Sequence, residues 1–148
     1  TLFRSLTVKI IDGALRPIQE TNGKIDPYVK VSVGEKSAQT KPSKGQYPSW
    51  GSQFTIKVGE DEEMINFEVR AASIPSKDEL IGAAEETLAS VIHSDLKYAG
   101  WISLKNGTET TGEIQIEMTF YPDQNVTTGA ESLPDYNNYG YPDYPQKY

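Results

Sequence analysis

Cysteine is absent from the chain, and histidine occurs once, at His93. Without thiols there is no disulfide framework, no thiolate metal site and no cysteine nucleophile. A lone imidazole cannot build a zinc site from histidine ligands. The lack of cysteine fits a reducing, cytoplasmic compartment. Long apolar runs are missing too: none approaches the roughly 18 residues of a membrane span. The opening Thr1-Leu2-Phe3-Arg4-Ser5 lacks the apolar core of a secretory signal, and a first residue other than Met suggests processing or trimming. Contact with a membrane would therefore be peripheral. The sequence also has no G-x-S-x-G, H-E-x-x-H, G-x-G-x-x-G or phosphate-loop pattern. The expectation is a protein that is not an enzyme.

Positive charge is in short supply. The 148 residues carry a net charge of −7, which repels nucleic acid. The distribution is uneven, however. Glu60-Asp61-Glu62-Glu63 is an unbroken acidic run that reads as a solvated strand end. Between Pro27 and Lys57 the balance reverses: Lys30, Lys36, Lys41, Lys44 and Lys57 face Glu35 alone, a local net of +4.

Helical periodicity is lacking, and alternation of period two takes its place. Leu6, Val8 and Ile10 alternate with Thr7 and Lys9; Val29, Val31 and Val33 with Lys30 and Ser32. Phe54, Ile56 and Val58 form a third set, Ile65, Phe67 and Val69 a fourth, and Ile114, Ile116, Met118 and Phe120 the clearest. Residues 37–41, 80–88 and 101–104 read as further strands, and 89–98 is ambiguous, with room for a helical turn. Turn residues separate these runs. The fold class is all-β, an eight-stranded antiparallel β-sandwich of two sheets. The composition changes at Pro122. Residues 122–148 hold no Ile, Phe or Trp, and five of the nine tyrosines fall in the last thirteen positions. Such a segment has little to offset the entropy of ordering. The expectation is a domain at 1–121 and a disordered Tyr/Pro-rich tail at 122–148, with Pro142-Asp143-Tyr144-Pro145 available to a protein partner in extended form.

Three ordered motifs resemble one family. Asp26-Pro27-Tyr28-Val29-Lys30-Val31 follows a polar loop; Pro48-Ser49-Trp50 precedes Phe54; and Leu80-Ile81-Gly82 follows a strand ending Phe67-Glu68-Val69. In order and spacing they are similar to the C2 domain, the calcium- and lipid-binding module, over about residues 4–121. The resemblance implies a calcium site of five acidic positions on two loops. Here these positions fall on Glu20 and Asp26 in one loop and on Ala71, Ser73 and Glu79 in the other. Calcium takes six to eight oxygens, and Glu20, Asp26 and Glu79 supply three carboxylates, a weak site at best. The resemblance also implies a lysine-rich face for anionic phospholipid, carried here by Lys30, Lys36, Lys41 and Lys44, with Ile25 and Ile74 positioned to dip into the headgroup zone. No cofactor is required. Three readings stay open at this point: a membrane-targeting or adaptor module that binds anionic phospholipid without calcium, a protein-interaction module using the sandwich edge and tail, and a calcium-dependent phospholipid binder.

Overall fold

In the computed structural model, residues 2–17, 25–71, 79–93 and 95–125 are described. The strands are β1 (Leu2–Leu15), β2 (Pro27–Val33), β3 (Lys36–Gln39), β4 (Ser49–Val58), β5 (Met64–Ala71), β6 (Glu79–Thr87), β7 (Lys97–Asn106) and β8 (Glu109–Asn125). One short helix, α1 (Leu88–Ile92), lies between β6 and β7. All neighbouring strands are antiparallel. The expected eight strands are present and the ambiguous segment resolves into α1 and the start of β7. Thr87 ends β6 and caps the helix, its hydroxyl accepting the Ser90 N–H at 3.1 Å. A cap of this kind satisfies an N–H that the first helical turn leaves without a partner.

The two expected sheets are joined into one ladder, in the order β3-β2-β5-β6-β7-β8-β1-β4. The join is thin. β6 and β7 meet through Ala83 opposite Lys105, whereas β7 and β8 pair from Lys97↔Thr119 to Asn106↔Glu109. The halves β3-β2-β5-β6 and β7-β8-β1-β4 fold over at that seam and close on one core. Each strand contributes alternate side chains to it, as the period of two requires. Val29, Val31 and Val33 of β2, Phe67 and Val69 of β5, and Ile114 and Ile116 of β8 are all fully buried.

Two glycines mark close approaches that shape one end of this sandwich. Asp12-Gly13 reads from sequence as the end of β1, yet the strand runs on to Leu15 through a bulge between Ile10 and Gly13. A Cβ on Gly13 would sit 2.9 Å from the Trp50 ring and 3.1 Å from Pro48. The strand can continue under the indole only because position 13 has no side chain. Gly82 is similar: a Cβ there would collide with Thr111 and Leu104. The Ile81-Gly82 pair is thus a packing requirement where the two halves meet. At the other terminus, β8 continues to Asn125, past the composition break at Pro122, because Gln124 and Asn125 pair with Phe3 and Leu2. The rest of the Tyr/Pro-rich segment lies outside the described residues.

Candidate functional site at the loop end of the sandwich

β1 ends, β2 begins, β3 leads into β4, β5 ends and β6 begins at one end of the molecule. The register states this directly: Pro27 of β2 lies opposite Ala71 of β5, which lies opposite Glu79 of β6. Asp26, half-buried, and Glu79, exposed, therefore stand at the same rim. Ala71, at the position where the C2 resemblance places a calcium ligand, is buried and offers a methyl group. Glu20, Ser73 and Ile74 lie outside the described residues.

The segment 40–48 is bound to this rim from both sides. The Ser43 and Gly45 N–H groups donate to the carbonyls of Pro27 and Ile25 at 2.9 and 2.8 Å. The Leu15 and Gly13 N–H groups donate to the carbonyls of Gln46 and Pro48, each at 2.8 Å. Thr40 is buried; its hydroxyl accepts the Val29 N–H at 3.0 Å and donates to the Lys41 carbonyl at 2.9 Å. Trp50 closes the arrangement, its indole N–H donating to the Pro27 carbonyl at 2.9 Å. These bonds fix the course of the loop backbone. Lys41, Lys44 and Tyr47 are carried on it, and all three are exposed.

The four lysines do not form one patch. Lys41 and Lys44 are on the rim loop. Lys30 stands mid-strand on β2, facing Gln39 on one side and Glu68 on the other, with Glu68 ion-paired to Arg70 at 2.9 Å. Lys36 sits after the Gly34-Glu35 turn, at the opposite end of the sandwich, and its ammonium lies 2.9 Å from Glu62. Glu62 is a fastener rather than one member of a solvated acidic run. Its carboxylate accepts the Gly59 N–H at 2.7 Å as well as Lys36, while the Arg4 guanidinium donates to the Gly59 carbonyl. The Gly59 N–H, and after it Lys36, hold the Glu62 carboxyl below the usual carboxylate range. The acidic turn and the β2–β3 turn are locked together, and Lys36 is consumed in doing so.

Ile25 requires a correction. It is 3% exposed and packs in the core, so it does not dip into a headgroup layer. The reason is the strand alternation itself. Ile25, Pro27, Val29, Val31 and Val33 are all buried, so the inward face of β2 extends one step before the strand begins. Among the described residues, two exposed aromatics stand outside the sequence motifs: Tyr47, 73% exposed, and Trp101, 46% exposed on β7. The outward turn of Tyr47 is visible only in the structure, where Pro48 is buried and Trp50 half-buried while Tyr47 and Ser49 are exposed.

A family model described as C2 domain matches residues 4–104. Human RasGAP-activating-like protein 1 is 25% identical over 126 residues, covering 80% of this chain and 15% of that protein. Ingression protein fic1 of Schizosaccharomyces pombe is 27% identical over 121 residues, covering 80% of this chain and 44% of that protein. The chain therefore spans less than half the length of each. Among solved structures, a C2 domain of plant extended synaptotagmin 1 superposes with a TM-score of 0.67 at 21% identity, over 80% of this chain and 94% of that one. The calcium-bound pair of C2 domains of extended synaptotagmin 2 gives 0.66 at 21%, over 80% and 45%. At such identities the structural likeness is one of fold.

Proposed function

The chain belongs to the C2 domain family, whose fold is in general a non-catalytic module for binding membranes or proteins, and from that premise we propose that it is a peripheral membrane-targeting or adaptor module of the cytoplasm that binds anionic phospholipid without requiring calcium. The carrying observation is the pinned loop at 40–48, which presents Lys41 and Lys44 at the rim. It lies inside a stretch, Lys36 to Gly59, that contains no acidic residue. Each lysine near an anionic surface contributes about 1 kcal/mol, so two give a modest and salt-sensitive attraction. Lys30 adds to it from the neighbouring strand face, while Lys36 is already neutralised by Glu62. Against a calcium requirement stands Ala71, a methyl group where the family places a ligand. Among the described residues of the rim, Asp26 and Glu79 are the carboxylates at the family's positions, short of what a tight calcium site needs.

Co-sedimentation with vesicles of phosphatidylcholine and phosphatidylserine, with calcium and with chelator, tests the reading. Binding is expected in both conditions, weaker at high salt. It should be lost in the double variant Lys41→Glu, Lys44→Glu and kept in Lys36→Glu. Binding only with calcium, or equal binding by the double variant, would overturn it. A protein-binding module is the second reading, and Trp101, exposed in the middle of β7, is the observation that favours it. Exposed tryptophan is enriched in interface hot spots. On that reading the chain would leave vesicles untouched.

A further inference from the structure

β7 has an open edge. The Phe120 N–H donates to the Leu96 carbonyl at 2.8 Å, and that pair continues the register of Lys97 opposite Thr119. Hydrogen-bonded and non-bonded pairs alternate along an antiparallel ladder. Tyr98, Gly100 and Ile102 therefore bond to β8, while Ala99, Trp101 and Ser103 turn their N–H and C=O groups the other way. β6 lies on that side but meets β7 through Ala83 opposite Lys105 alone. Among the described residues, no backbone group bonds to Ala99, Trp101 or Ser103 from there. Their donors and acceptors stand in a row, and a sheet edge of this kind is a template for another strand.

The gap beside this edge has its own shape and charge. Gly100 is half-buried, yet a Cβ there would meet nothing among the described residues within 4 Å. A glycine inside a strand often marks a close approach of another backbone. Ala99 and Ser103 are small and exposed, and Trp101 between them is 46% exposed. Across the gap, β6 carries Glu85, exposed, and Glu86, half-buried. Neither makes an ion pair among the described residues. Burial, and after it the Glu86 carboxylate, hold the Tyr98 hydroxyl above its ordinary range, so that carboxylate stands close to β7.

We propose that the β7 edge from Ala99 to Ser103 is a strand-addition site for an extended segment of a partner protein, with an arginine or lysine of that segment seated opposite Gly100. The backbone groups select an extended chain, since only a strand meets a row of alternating donors and acceptors. The space at Gly100 takes the apolar stem of the cationic side chain, and Glu86 takes its charged head. A second copy of this chain fits poorly. Pairing centred on Trp101 sets Lys97 against Lys105 of the copy, and pairing centred on Gly100 leaves the glycine space empty. The edge lies mid-strand, away from the rim, so the assignment goes beyond the lipid reading and does not depend on it.

The test uses the full chain and a capped peptide of alternating threonine and valine with one central arginine. Amide hydrogen exchange, read by NMR, is expected to be fast at Ala99, Trp101 and Ser103 in the free chain and slow with peptide. Gly100 and Ile102 are expected to exchange slowly in both. Glutamate in place of the central arginine should weaken binding about tenfold or more, the size of a lost charge-assisted hydrogen bond. Ala99→Pro removes one edge-facing N–H and no bond to β8, and should weaken binding by a similar factor. Gly100→Val should block the peptide while keeping or raising the thermal midpoint, because valine suits a strand better than glycine. Vesicle co-sedimentation of Gly100→Val is expected to match wild type, which separates this site from the lipid reading. The proposal is overturned if the arginine peptide does not bind, or if the glutamate peptide binds equally well. Wild-type affinity in both Ala99→Pro and Gly100→Val would also overturn it. So would slow exchange at the three amides in the free chain, since the edge would then already be covered.

Discussion

At the scale of single residues, the loop end depends on one indole. Trp50 packs on the core, covers Gly13 and donates its N–H to the Pro27 carbonyl, so it joins β4, β1 and β2. Trp50→Ala should cost about 3 kcal/mol, the low end for a large aromatic because the ring is only half-buried. Trp50→Phe should recover most of the packing and lose about 1 kcal/mol for the hydrogen bond. Chemical denaturation of both variants checks this, and two equal losses would mean that the ring contributes nothing beyond its N–H. At the opposite end, Glu62 is the residue to perturb. Its carboxyl titrates below the ordinary range, so the folded state resists protonation there. Its stabilisation is complete above the unfolded carboxylate pKa of about 4.3 and is lost as pH falls through the lower folded value. Glu62→Gln should therefore lower the thermal midpoint at neutral pH and converge with wild type in acid. The gap should stay small, within about 1 kcal/mol for a pair this exposed, and shrink in salt. A gap that persists in acid would show that the charge is not its source.

At the scale of elements, the turns at the two ends of the sandwich are held in different ways. Glu60, Asp61, Glu62 and Glu63 cluster at the β4–β5 turn, and Glu62 draws in Lys36 from the β2–β3 turn. The β3–β4 loop, held by backbone hydrogen bonds instead of side-chain ion pairs, leaves Lys41 and Lys44 facing solvent. The same elements decide where the chain can be cut. β8 pairs with β1 as far as Asn125↔Leu2. Truncation after Asn125 should leave the thermal midpoint nearly unchanged, since residues 126–148 have little apolar area to bury. Truncation after Tyr121 removes the pairs of Gln124 with Phe3 and Asn125 with Leu2, and should lower it measurably. Differential scanning calorimetry of the two products distinguishes the cases, and a large drop in the longer one would mean that the tail packs on the sandwich.

At the scale of the whole molecule, a continuous ladder that folds over at one bridge, Ala83 opposite Lys105, gathers loops from distant parts of the sequence at one rim. Residues 12–17, 25–27, 40–48, 71 and 79 become neighbours there through antiparallel register. The net charge of −7 says little about such a rim, because exposed charges farther away than a Debye length of about 8 Å are screened. Local composition is what a membrane or a partner meets.

The sequence by itself determined the strands and the family. Alternation of period two is a local property, written in residues such as Ile114, Ile116, Met118 and Phe120, and it needs no partner to be read. The ordered motifs around Asp26-Pro27, Trp50 and Ile81-Gly82 are local too. Strand ends were less legible, as β1 running past Gly13 and β8 running to Asn125 both depend on a partner strand. Only the tertiary structure decided which lysines face a common surface, that Ile25 is core, and that Tyr47 is pinned outward. Those outcomes follow from pairing between segments distant in the sequence, such as Lys36 with Glu62 and Leu15 with Gln46. A side chain's availability depends on what such pairing brings against it, and no local pattern in the sequence carries that information.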